Sequence, residues 1–239
     1  MIPSLAPLFT GDLGPIGDYL VLADDPRPYL SCSDLLDEGR LPELLARFGR
    51  NYAEPEPRGV ASQWSKWYFS RLLTPVLAAN IALNRRLPIV FEETGLILSE
   101  DARVVAFRLS DDGRSFEPTD FVERFEDLID GHLSMLVEAL SSASGLSRKV
   151  LWSNAGNIFE NVVSQCAQLL GEAHPGVGHG RALLANRFWR EDRVNRIFEP
   201  VRYLPADGKN IRKRRVCCIR YLIPGIALCK NCPLEVLPS

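Results

Sequence analysis

The 239-residue chain has only three histidines and two methionines, no charge surplus and no long apolar run. Twenty-eight basic against thirty acidic residues leave a formal charge of −2. That balance excludes a chain-wide attraction to nucleic acid or anionic lipid. The longest apolar stretch, Leu72 to Leu83, is interrupted by Thr74, Pro75 and Asn80. It falls far short of the ~20 residues that cross a bilayer, which leaves at most transient contact with a membrane surface. The opening Met1-Ile-Pro-Ser-Leu-Ala-Pro lacks a basic n-region and, broken by Pro3, Pro7 and Pro15, reads as an extended arm, not a secretion signal. A cytoplasmic chain is the resulting expectation, and there thiols stay reduced. Repeats and low-complexity tracts are absent, and so is any nicotinamide or flavin fingerprint. Gly176-Val-Gly-His-Gly180 lacks the preceding strand and the spacing of a phosphate loop.

What is present reads as one mainly helical α+β domain. Residues 1–59 predict short helices in irregular chain, with Pro42 in the first turn of one of them, closed by a turn-rich linker, Ala53-Glu-Pro-Glu-Pro-Arg-Gly59. Val60 to Arg85 carries apolar residues at spacings of three, four and seven, which predicts a long buried helix that Pro75 should kink or divide. Leu87 to Phe91 and Arg103 to Leu109 are short, partly alternating runs that predict strands of a small antiparallel sheet. Asp120-Phe-Val-Glu123 opens a helix through about Leu140, and a second should run from Ser147 to Gly171. Ala173 to Gly180 reads as a loop before a short helix through Trp189. Residues 200–204 and 210–216 flank an Asp207-Gly208 turn signal and predict a hairpin.

That hairpin leads into the densest chemistry of the chain. Four of the six cysteines fall within sixteen residues, in the pattern C-C-x10-C-x2-C: Cys217, Cys218, Cys229 and Cys232. Cys229-x2-Cys232 is a two-ligand bite, in which a turn presents both sulfurs to one metal. The vicinal pair is harder, because adjacent side chains of a strand point to opposite faces. The backbone must therefore turn there, and Pro224-Gly225 supplies a bend midway along the connection. Spacing leaves three readings open. Four cysteines suffice for structural zinc, although zinc sites draw on two separated C-x2–4-C pairs. An iron–sulfur cluster takes the same ligands, and Cys232-Pro233 echoes the Cys-Pro ending of ferredoxin runs. Disulfides are disfavoured by the compartment.

From Gly208 to Cys229 the charged residues are Lys209, Arg212, Lys213, Arg214, Arg215 and Arg220, with no acid among them. Two ferric ions, two sulfides and four thiolates sum to about −2, so nearby cations favour the reduced form and raise the potential of such a cluster. For Lys209 to Lys213, farther from the thiols, a solvated strand edge or a nucleic-acid contact is the competing reading.

The string Arg214-Arg215-Val-Cys217-Cys218-Ile-Arg220-Tyr221, followed by C-x10-C-x2-C spacing, resembles the C-terminal signature of the FhuF-type ferric siderophore reductases. Upstream, Trp64-Ser-Lys-Trp67-Tyr68, Phe91-Glu-Glu-Thr-Gly95 and Leu151-Trp-Ser-Asn-Ala-Gly156 resemble further segments of that family in the same order. The family often has His where this chain has Glu92, so no role of that His passes here. The resemblance implies a [2Fe–2S] cluster on Cys217, Cys218, Cys229 and Cys232, and one-electron reduction of Fe(III) in a hydroxamate-type siderophore. Fe(II) would be released in the cytoplasm, with electrons from an external donor and no nucleic-acid partner. Arg215 and Arg220 are the expected outer contacts of the cluster, whose loop should lie at the surface facing a cleft. The expected organisation is an N-terminal arm with short helices (1–59), a reductase-like domain (60–204) and a cluster-binding module (205–239). The competing function is a zinc- or cluster-stabilised binding module whose basic hairpin contacts a protein or nucleic acid. Elsewhere, Cys32 and Cys166 read as packing thiols, and His174 and His179 as surface residues. Trp64, Trp67, Tyr68, Trp152 and Trp189 read as core before cleft, while Ser153 and Asn154 interrupt an apolar face and are either buried and bonded or in touch with the cysteine loop.

Overall fold

The computed structural model describes residues 1–206 and 209–235. The Asp207-Gly208 turn therefore lies outside the described residues. The chain opens not as a free arm but as a 3-10 helix, Pro3–Leu8, because Ile2 and Leu5 are buried and pin it to the core. A short helix α1 (Gly14–Gly17) and strands β1 (Leu20–Val21) and β2 (Leu30–Ser31) follow, then α2 (Arg40–Gly49).

The central element is α3 (Pro57–Leu83), which takes in the last three residues of the expected linker. Glu56 caps it by accepting from the Gly59 N–H at 2.6 Å, Pro57 occupies the first turn, and Asn84 ends it in the left-handed region at φ 47°. Pro75 does not divide it. Leu72, Leu73, Val76 and Leu77 are buried on both sides of the proline, and that packing outweighs one missing hydrogen bond.

After β3 (Arg85–Arg86), the run Leu87 to Phe91 is not a strand: Pro88 cannot donate to a ladder. Leu87, Ile89 and Phe91 are still buried in the core. The partner of the second expected strand is instead β4 (Gly95–Leu98), antiparallel to β5 (Val104–Arg108). The sheet order is β1-β5-β4-β2, with β1 parallel to β5 and the other pairs antiparallel. A two-residue strand β6 (Arg114–Ser115) closes on β3.

Asp120 caps α4 (Phe121–Leu128) by accepting from the Glu123 N–H at 2.8 Å. A π-helical turn, Ile129–Leu133, joins it to α5 (Ser134–Ser144), so the helical run ends a turn beyond Leu140. Helix α6 (Arg148–Leu170) runs as expected and makes the most extensive helix pair of the molecule with α3. The expected glycine-rich loop is instead helix α7 (Pro175–Ala185), capped by His174. Its glycines serve close packing: a Cβ on Gly176 would run into the Ile81 carbonyl, and one on Gly180 would press on Val163. Trp189 accordingly sits in strand β7 (Phe188–Arg190), paired with β8 (Arg193–Val194). The last hairpin, β9 (Val201–Ala206) with β10 (Lys209–Arg214), forms as the sequence predicts.

One polar chain runs through the core. The Cys32 sulfur lies 3.3 Å from the Tyr68 hydroxyl, which lies 2.6 Å from His132 Nε2, while His132 Nδ1 sits 2.6 Å from the Ile89 carbonyl. A carbonyl only accepts, so Nδ1 carries the proton and Nε2 accepts from Tyr68. Burial drives the His132 pKa down to about 4. The unfolded chain takes up this proton below about pH 6.5 and the folded chain only near 4, so stability falls on acidification through that window. Urea unfolding at pH 7 and pH 5 should show a loss of roughly 2 kcal/mol from this group. His132→Gln should flatten that slope; an equal slope in both proteins would place the loss elsewhere.

Candidate metal centre

Beyond β10 the backbone turns repeatedly, and the turns answer the geometric problem of a vicinal cysteine pair. It bends at Arg215-Val216, passes through Cys217-Cys218 and reverses at Ile219, which sits at φ 48°. The Ile219 N–H donates to the Cys217 sulfur at 3.3 Å, and a 3-10 turn, Arg220–Leu222, follows. Gly225 at φ 78° provides the second reversal, and the Cys232 N–H donates to the Cys229 carbonyl at 2.9 Å, closing the C-x2-C turn. Cys218 and Cys232 are buried; Cys217 and Cys229 are half-buried. The loop thus presents a shallow face to solvent, as expected from the sequence.

The two long helices seat this loop. Ser62 on α3 donates its hydroxyl to the Cys218 carbonyl at 2.5 Å, and Ser153 on α6 donates to the Val216 carbonyl at 3.3 Å. Asn154 joins the helices: its amide donates to the Ser62 and Ser65 hydroxyls at 3.1 and 2.9 Å. Its carbonyl oxygen accepts from Arg214 Nη2 at 2.5 Å. Asn231, inside the C-x2-C turn, donates to Asn157 at 2.7 Å. Gly59 lets the loop approach α3, since a Cβ there would meet Ile223 at 2.9 Å. Ser153 and Asn154 are therefore both buried and bonded to the loop.

The electrostatics are one-sided. Lys66, one turn along α3 from Ser62, faces the Cys218 thiol, which supports its charge, while the neighbouring cations Arg220 and Arg214 oppose it. The charges that act most on Arg214 are the thiols of Cys218, Cys229 and Cys217. Neither Lys66, Arg214 nor Arg220 has a carboxylate partner among the described residues, and the Nε atoms of Arg214 and Arg220 are buried without acceptors. Burial lowers the pKa of both Lys66 and Arg214, opposed by the thiolates they face. The neighbouring Cys229 thiol and, against burial, Lys66 hold the Cys218 thiol well below the usual cysteine range. Cys229 is in turn pushed up by Cys218 and by burial, and Cys217 is raised by burial.

The four thiols lie close enough to act on one another's acidity: Cys229 on Cys218, and Cys218 and Cys232 on Cys217. No three His, Cys, Asp or Glu side chains among the described residues converge as ligands of a single ion do. Four neighbouring thiols beside the buried Arg214 and the half-buried Lys66 and Arg220 fit a two-iron, four-thiolate cluster, which these cysteines would hold and whose negative charge would answer those cations. Arg215, by contrast, is half-exposed and bonded to Glu199, while Arg220 stays beside Lys66 and the loop. Sequence reasoning missed Lys66 and gave Arg214 no role of its own. A local signal existed for Arg214, which pairs in register with the buried Val201, whereas its neighbour Arg215 points the other way.

The remaining candidates fall outside the centre. Cys32 and Cys166 are buried free thiols, with pKa values raised by burial to about 12 and 11. Neither histidine of the α7 region faces a metal site: His174 is a cap, and His179 accepts from Arg124. Trp64 and Tyr68 are core, Trp189 bonds Asp130, and Trp67 and Trp152 reach clefts beside the loop. Glu92 is exposed in a 3-10 turn.

A small helical domain that seats a four-cysteine loop in a positive field is built as a one-electron iron–sulfur carrier. Residues 62–211 match the family described as ferric iron reductase FhuF-like transporter, and residues 214–234 match the FhuF 2Fe-2S C-terminal domain. The chain belongs to this FhuF-like ferric reductase family and carries its [2Fe–2S] domain. It is also 24% identical over 221 residues to the ferric siderophore reductase of Escherichia coli (strain K12), covering 89% of this chain and 82% of that protein. Among the described residues no helix is long and apolar enough to cross a membrane.

Proposed function

We propose that the chain is a cytoplasmic ferric siderophore reductase in which Cys217, Cys218, Cys229 and Cys232 hold the [2Fe–2S] cluster. We divide it into a supporting arm (1–59), a reductase body (60–204) and the cluster module (205–239), a division close to the two family matches. The observation that carries the reading is the cysteine loop itself: four neighbouring thiols beside Lys66, Arg214 and Arg220, cations with no carboxylate partner among the described residues. When bound, the cluster supplies a one-electron donor of tunable potential.

The substrate chemistry asks little more of the chain. A hydroxamate siderophore is a hard oxygen cage that suits Fe(III) and holds Fe(II) weakly, so a single electron loosens the metal. The protein must expose the donor, fix its surroundings and hold the ferric complex nearby. Cys217 and Cys229 provide the exposed edge; the Ser62–Asn154–Arg214 network holds the loop in place. Lys66, Arg214 and Arg220 stabilise added negative charge, and Arg215, tied to Glu199, lies on the rim. With no nicotinamide or flavin fingerprint in the sequence, the electron comes from an external donor. The competing binding-module reading loses support because three cations of the hairpin are already engaged: Arg212 by Glu160, Lys213 by Glu235 and Arg214 by Asn154.

Anaerobically purified protein should be red-brown, bleach with dithionite and give a low-temperature EPR signal of a reduced two-iron cluster. It should also deliver Fe(II) from a ferric hydroxamate to a ferrous chelator. A colourless protein with one zinc per chain would sink the reading.

A further inference from the structure

Between α3 and α6, beside the cysteine loop, opens a cleft of about 330 Å³ lined by Lys66, Trp67, Arg71, Asn154, Asn157 and Arg214. No cysteine lines it, so it is not the space that the cluster itself takes. Its charged lining is entirely cationic. Arg71 lies 3.9 Å over the Tyr19 ring and 5.0 Å from that of Trp67, and its Nε is buried without an acceptor. Arg214 is 1% exposed, and its Nε is likewise unpartnered among the described residues. Lys66 belongs to both sites, lining the cleft and acting on the Cys218 thiol.

The cluster alone does not account for this much positive charge. Among the described residues, Lys66, Arg71, Arg214 and Arg220 supply four cations without a carboxylate partner, against a cluster charge of about −2. Arg214 is buried and the others half-buried, so a surplus without counter-charge marks a place that a second anion fills. A larger cleft of about 460 Å³ is lined by Arg148, Lys149, Arg196 and Arg215, but it carries Glu199 in its wall, which holds Arg215, and Glu138 holds Arg148.

We propose that the α3–α6 cleft binds the ferric siderophore and selects complexes of net negative charge, namely hydroxamates that also carry free carboxylates. This rests on the reductase reading and names the substrate class within it. The cleft is smaller than a whole ferric siderophore. It takes the anionic arm, with Arg71 placed to bond a carboxylate in bidentate fashion and Trp67 as a flat wall. The iron then sits over the mouth, next to the exposed edge of the cluster.

The test uses cluster-loaded protein and Ga(III) complexes, which bind like the ferric ones but accept no electron. Calorimetry would compare an anionic citrate–hydroxamate, a neutral cyclic trihydroxamate and a cationic linear trihydroxamate. The anionic complex should bind tightest, and its advantage should shrink as salt rises. Arg71→Gln should weaken it about tenfold and change the neutral complex less than twofold, with the cluster spectrum intact. Arg71→Lys should recover part of the preference. Three results would overturn the inference: equal binding of the three complexes, equal weakening of all three, or an Arg71→Gln defect confined to reduction by an acidic donor protein. Wild-type protein that binds none of them would instead bring down the reductase reading, and this inference with it.

Discussion

Cys229→Ser should yield a folded, colourless protein that releases no iron from a ferric siderophore. A serine oxygen is a hard, weakly acidic donor in a centre that needs soft thiolates. Residues that merely support a metal ligand cost about 10–100-fold when lost, so removing a ligand should cost at least about 100-fold. The fold does not depend on this side chain: Cys229 is half-buried and stands outside the hydrophobic core. Far-UV circular dichroism should therefore match the wild type, while iron content, the EPR signal and ferrous-chelator turnover collapse together. Unchanged turnover would remove the cluster from the reaction path. Cys217→Ser, at the other half-buried position, should behave alike.

The second large effect is expected at a residue that touches no metal. Asn154→Leu keeps the side-chain shape but removes the bonds by which Asn154 ties Ser62 and Ser65 of α3 to α6 and to Arg214 of the hairpin. The Ser62 and Ser65 hydroxyls lose a donor, and the buried Arg214 guanidinium loses its shortest acceptor. Charge-assisted bonds contribute about 1.5–3 kcal/mol each, and stranding a buried cation adds to the loss. A destabilisation of about 3 kcal/mol follows, lowering Tm by roughly 6–12 °C for a chain of this size. Arg214 and the Ser62 support of Cys218 should shift together, so the cluster should also become labile and its potential fall. A Tm within about 2 °C of wild type and an unaltered cluster spectrum would show that the network is dispensable.

Much of this centre was legible because its information is local. The four cysteines, the bend at Gly225 and the run of cations occupy one short segment, and their chemistry is written in residue type and spacing. The hairpin, α6 and the helix opening at Asp120 were legible for the same reason, through capping and periodicity. What failed depended on the rest of the molecule. Gly176 and Gly180 look like loop formers until Ile81 and Val163 are seen pressing on them. Pro88 denied a strand to an otherwise suitable run, and Pro75 was overruled by packing on every side. The roles of Ser62 and Lys66 were invisible, since the cysteines they serve lie some 150 residues downstream.

That separation has a consequence for how the protein is made. Ser62, Asn154 and Asn157 are all synthesised before the loop they receive, and the contact from Ser62 to Cys218 spans 156 residues. Long closures of this kind form late, after the local helices and their mutual packing. The loop therefore arrives on a seat that already exists, and cluster insertion becomes the last act of maturation, not its nucleus. Iron starvation would then leave a pool of folded, empty reductase that needs only iron and sulfide to become competent, with no renewed synthesis.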